Sequence, residues 1–118
     1  MASTIEMQLA AKYWDAIKAG KKTAEVRVFD PKRQTIRLRD TIVFTNVETG
    51  EKLSREVSEL RFYPDFRSAI SDYGLRKLLP DSPSLEEGIE RYNAFGSGEK
   101  NFKTAAKKYG VLLIGFRK

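Results

Sequence analysis

The chain contains neither cysteine nor histidine in its 118 residues. The first absence excludes disulfides, thiolate nucleophiles and Cys-ligated zinc, and it suits a reducing compartment. The second removes the commonest general base and the commonest metal ligand. No Ser-His-Asp or Cys-His site can be assembled, nor a zinc deaminase centre. Long apolar runs are missing too: no stretch approaches the ~20 residues needed to span a bilayer. The opening residues, Met1-Ala-Ser-Thr-Ile-Glu6, lack a basic segment leading into an apolar one. A soluble, intracellular protein, cytoplasmic or nuclear and without membrane contact, is expected. Repeats, low-complexity segments and long Pro/Gly/Ser linkers are also lacking. Residues 1–118 are therefore read as one domain of ordinary size, expected to be a monomer.

What is present is positive charge. Lys and Arg number 22 against 16 Asp and Glu, a net charge of +6. The segment from Lys18 to Arg39 holds eight bases and two acids, and that from Lys100 to Lys118 holds six bases and no acid. Each block carries +6, so the remainder carries −6. Such concentration predicts a basic face for an anionic partner if the fold joins the two blocks.

The apolar pattern sets out the elements. Leu9, Tyr13, Trp14 and Ile17 form one helical stripe over Leu9 to Ala19, ended by Gly20 as a left-handed C′ residue. Thr23 to Phe29 reads as a strand in which Ala24, Val26 and Val28 alternate with Thr23, Glu25 and Arg27. A hairpin follows, Thr41 to Thr45 and Leu53 to Phe62, turning at Glu48-Thr-Gly50-Glu51. Pro64 suits the first position of a helix that ends at Gly74, and Leu75 to Leu79 allows a further turn. Ser84-Leu-Glu-Glu87 is a capping box opening another helix. Phe95 to Phe102 reads as loop. The apolar run Val111 to Phe116 has the composition of an interior strand. Four or five strands with three or four short helices indicate α+β, with a small curved sheet or barrel.

One constellation carries chemistry: Gly20-x-Lys22-x-x-Glu25-x-Arg27, between a helix and a strand. Glu25 and Arg27 stand two residues apart, hence about 7 Å apart on one strand face. A solvated ion-pair face is the plain structural reading; a ligand site is the functional one. The stretch resembles the signature of the ASCH domain family, the activating-signal-cointegrator homology domains. The likeness continues in Arg39-Asp40-Thr-Ile-Val-Phe44, where family members usually have Gly-Asp, and in Tyr109-Gly-Val-Leu-Leu-Ile-Gly-Phe116. It implies a small PUA-like mixed β-barrel of about five strands flanked by short helices, with the motif in a cleft beside the barrel.

That resemblance implies an RNA or nucleotide-like anionic ligand and no cofactor. Arg27 would bind phosphate or a base edge bidentately. Lys22 would supply a point charge or a proton, and Glu25 would orient Arg27 or accept from the ligand. Lys21, Thr23, Arg39, Asp40 and Tyr63 complete the expected binding set, Tyr63 as a stacking platform. Phe95 and Ser97 are further loop candidates, and Lys103, Lys107 and Lys108, on a short polar segment before the last strand, suit either phosphate tracking or a solvated helix face. The alternative is a small hydrolase of RNA or a modified nucleoside, with Lys22 or Glu25 moving protons and Arg27 stabilising developing charge. Some bacterial relatives are amidohydrolases of N4-acetylated cytidine with a threonine nucleophile and a lysine. Lys22 aligns with their lysine, but Glu25, not Thr23, stands at their threonine. No clustered carboxylate motif suggests a metal, and whether any reaction is catalysed stays open at this level.

Overall fold

The computed structural model describes residues 2–31, 33–94 and 102–117; the side chains of 94 and 102–105 are not described. Along the chain run β1 (Thr4–Leu9), α1 (Ala11–Lys18), β2 (Ala24–Val28), a short 3-10 turn (Arg33–Thr35), β3 (Thr41–Asn46) and β4 (Lys52–Tyr63). Then come α2 (Phe66–Tyr73), α3 (Leu75–Leu78), α4 (Leu85–Ala94), α5 (Phe102–Tyr109) and β5 (Val111–Phe116).

The strands pair in the order β1-β3-β4-β5-β2. β1 and β3 are parallel and the remaining pairs antiparallel. The sheet is thus mixed, and it curls into a half-barrel. Its two edge strands, β1 and β2, do not pair. Instead the Arg27 guanidinium on β2 donates to the Gln8 carbonyl on β1 at 3.2 Å, spanning the gap between them. Trp14 on α1 is buried and donates from Nε1 to the Phe44 carbonyl at 2.9 Å, fixing that helix to β3. β5 lies inside the sheet, and five of its six residues are buried, as its continuous apolar run requires.

Three sequence expectations need correction. Leu9 does not open a helix; it closes β1, a strand that the apolar pattern had left unassigned. Its residues alternate between exposed Thr4, Glu6, Gln8 and covered Ile5, Met7, Leu9, but the strand exists through pairing with β3, thirty-seven residues later in register. Pro64 is not the first helical residue. Asp65 is the N-cap of α2, its carboxylate accepting from the Ser68 amide at 2.8 Å. Phe102, expected as the end of a loop, instead opens α5. The loop expected from Phe95, with Ser97, lies outside the described residues.

β4 contains a register shift between Val57 and Glu59. One extra residue inverts which side chains face which way. Leu53 and Val57 share the Phe44 and Phe116 side of the sheet, and beyond the shift that side is taken by Leu60 and Phe62 instead of Glu59 and Tyr63. Glu25 and Arg27 pair with Ile114 and Leu112, so they belong to this side as well.

Candidate nucleic-acid interface

The motif begins with a helix terminus. Lys21 donates its amide to the Ala16 carbonyl (2.9 Å) and Gly20 donates to Ile17 (3.1 Å), with Gly20 at φ +81°. These bonds define a Schellman closure, which needs a residue tolerant of left-handed backbone. The Lys22 amide also returns to Ala16. The chain therefore doubles back over the end of α1 and sends Lys22 inward.

Lys22 is 1% exposed. Its ammonium donates to the Leu78 carbonyl (2.5 Å) and to Glu25 Oε1 (3.2 Å), and lies 5.7 Å from the Tyr13 ring centroid. Glu25 is 4% exposed. Its Oε1 also accepts from the Val26 amide (3.0 Å) and the Tyr92 hydroxyl (3.1 Å), while Oε2 meets Arg27 Nη2 at 3.3 Å. Burial alone would push the Glu25 carboxyl up, but Lys22, Arg27 and the Val26 amide outweigh it and hold it below its ordinary value. Burial draws the Lys22 ammonium down, and Glu25 opposes that in part. The Tyr92 phenol is pushed well up by burial and by the facing carboxylate, so it stays a donor. The cluster is a buried pair whose partners come from four elements.

Arg27 is the member that reaches solvent, its side chain 14% exposed. It lines two adjoining hollows at the gap between β1 and β2. The smaller, about 210 Å³, is walled by Gln8, Leu9, Tyr13, Glu25 and Arg27. The larger, about 580 Å³, adds Glu6, Arg33, Thr45 and Lys52. Bases outnumber acids on its wall, although Lys52 contacts Glu6 (3.3 Å) and Arg33 contacts Asp30 (2.9 Å). The two basic blocks are joined through their strands, but Lys107 and Lys108 do not line these hollows. β2 pairs with β5, and the Phe29 amide donates to the Gly110 carbonyl, just beyond exposed Lys107 and Lys108 on α5.

With this geometry in view, comparison with known proteins is decisive. The ASCH domain profile matches residues 7–118. The chain belongs to the ASCH domain family. Among solved structures, a hypothetical protein designated PH0355 is 36% identical, with a TM-score of 0.83 and 97% of each chain covered. Protein PF0455 from Pyrococcus furiosus is 37% identical, with a TM-score of 0.74 over 97% of this chain and 96% of that one. ASCH from Zymomonas mobilis, 16% identical, matches in fold with a TM-score of 0.64 over 98% of this chain and 67% of that one. No curated protein matches.

The expected site residues of this ASCH domain do not all converge. Lys22 and Glu25 are together but sealed, so neither presents a free charge to solvent. Their burial depends on Leu78 and Tyr92, far away in sequence. Thr23 turns its hydroxyl to Tyr73 at 2.9 Å and shares no partner with Glu25. Lys21 is exposed at the end of the α1 closure. Arg39 is exposed and takes φ +73°, a left-handed backbone that favours glycine. Asp40 is buried, its two oxygens occupied by the amides of Ser3 (2.8 Å) and Arg37 (2.9 Å). It braces the entry to β3. Tyr63 donates its hydroxyl to Asp72 and lies on the opposite side of the sheet from Arg27. Neither Arg39, Asp40 nor Tyr63 lines the hollows. Gln8, Tyr13, Arg33, Lys52 and Tyr92 were missing from the sequence-based set; no local pattern marks them. Among the described residues, no three acidic side chains gather as a metal site would need.

Proposed function

We propose that this ASCH domain binds RNA in the cleft between its two sheet edges, with Arg27 as the principal phosphate or base-edge contact. One observation carries the reading. Arg27 is held at the lip of both hollows by the buried Glu25 carboxylate and the Gln8 carbonyl. A guanidinium fixed in this way meets an anionic ligand with little further loss of freedom. Arg33 and Lys52 add positive charge to the same wall. Lys22 supports the site from beneath, by holding Glu25, and does not touch the ligand. The hydrolase reading gains no support from the geometry. Lys22 is closed off, and the Thr23 hydroxyl is engaged elsewhere.

The test is fluorescence anisotropy with labelled single-stranded RNA across a salt series. Affinity is expected to fall as salt rises, and Arg27→Ala to weaken binding about tenfold, the scale of one charge-assisted hydrogen bond. The same variant should flatten the salt slope by about 0.7, the value for one phosphate contact on a single strand. Wild-type protein that binds no RNA at low salt, or an Arg27→Ala variant of full affinity, overturns the proposal.

A further inference from the structure

The geometry points to a second subsite in this domain: a base-stacking platform formed by Phe62 and Phe29, for an unpaired base of the strand whose phosphate Arg27 holds. The inference rests on the RNA-binding reading above and adds to it a place, a contact type and a preference for single strands.

Phe62 is 63% exposed, the largest value among the exposed large hydrophobic residues described. A second ring braces it on one edge. Its ring meets that of Phe29 edge to face, with centroids 4.8 Å apart and planes at 76°. Phe29 is in turn fixed through its backbone: its amide donates to Gly110, and its carbonyl accepts from Gln34 Nε2 at 3.0 Å. An aromatic face pinned in the open loses little entropy on receiving a planar partner.

Position supplies the rest. The register shift in β4 places Phe62, and not Tyr63, on the side of the sheet that carries Arg27. Arg27 and Phe62 both pair with Leu112, so their strands stand two spacings apart, about 10 Å. Phe29 lies two residues beyond Arg27, about 7 Å along the chain. A single-stranded backbone spans such distances between a bound phosphate and a neighbouring base. Charge adds to the match. Arg33 lines the Arg27 hollow and stands next to Gln34, whose amide reaches the Phe29 carbonyl. Unpaired bases are bound in this manner elsewhere, by an aromatic face within a positive groove. Duplex RNA keeps its bases stacked and offers none to such a ring.

Fluorescein-labelled single-stranded RNA is titrated with wild type and with Phe62→Ala, Phe62→Leu, Phe62→Tyr and Arg27→Ala. A second strand carries 2-aminopurine as a stacking reporter. Phe62→Ala is expected to raise Kd about 5- to 150-fold, the range for one base–aromatic stack. The salt slope stays unchanged, because no charge is lost, and the quenching of 2-aminopurine disappears. Phe62→Tyr keeps affinity and quenching, whereas Phe62→Leu loses both. Thermal melts of the variants match wild type, since the ring is at the surface. A Phe62→Ala variant with wild-type Kd beside a weakened Arg27→Ala overturns the platform and leaves the cleft standing. So does a Phe62→Leu variant that binds normally, or an equal loss on duplex RNA. Self-association of the wild type that Phe62→Ala abolishes would assign the ring to a second copy and also overturn it. Wild type that binds no RNA removes both proposals together.

Discussion

Replacing Lys22 by methionine removes the ammonium that Glu25 and the Leu78 carbonyl share. The apolar stem is preserved, so packing changes little, and the effect isolates the charge. Both partners are more than nine-tenths buried. Removing one member of a buried pair costs about 3–5 kcal/mol, because the other charge is left without compensation. Glu25 keeps Arg27 at 3.3 Å, the Val26 amide at 3.0 Å and the Tyr92 hydroxyl at 3.1 Å. The loss should therefore lie near the low end, about 3 kcal/mol. At about 4 °C per kcal/mol for a chain of this length, Tm falls by about 12 °C. Urea unfolding gives the free energy directly. Glu25→Gln and the double variant complete a cycle, in which the double variant should lose less than the summed single losses by at least about 1 kcal/mol. A loss below about 1 kcal/mol for Lys22→Met, the scale of a solvated ion pair, would refute the claim that this cluster is dry and interdependent.

Two further outcomes follow from described geometry. Glu25 has a folded-state pKa below its unfolded value, so its stabilisation is complete above about pH 4.3 and fades as pH falls through the folded value; urea midpoints measured from neutral to acid pH should drop, and Glu25→Gln should flatten that decline. Arg39→Gly relieves a left-handed backbone that costs a side-chain-bearing residue about 1–2 kcal/mol, less the greater unfolded freedom of glycine. A net gain of about 0.5–1 kcal/mol in urea stability is expected, and a net loss would contradict it.

The sequence disclosed elements whose signals are local. Ser84 does cap α4, accepting from the Glu87 amide at 3.2 Å, and Gly74 does end α2 at φ +118°. The β2 and β5 patterns survive because both strands are covered on most positions. β1 escaped notice because its three covered residues acquire meaning only beside β3. The site was legible as a motif but not as an arrangement. Lys22 looks like a surface lysine beside other lysines. Nothing nearby announces that Leu78 and Tyr92 will enclose it. The facing of Phe62 and Tyr63 was hidden for a similar reason. Simple alternation from Leu53 would put Tyr63 on the Arg27 side of the sheet, and one extra residue near Val57 reverses the count.

The bond from Arg27 to the Gln8 carbonyl also bears on how molecules of this protein meet one another. β1 and β2 are the ends of the sheet, and such ends attract strands from other chains. Here the two ends face a common gap that a guanidinium occupies. A foreign strand adding to β1 at Gln8 would have to displace that cation from a main-chain acceptor. The side chain proposed above to meet a ligand thus also stands in the way of strand addition at this edge.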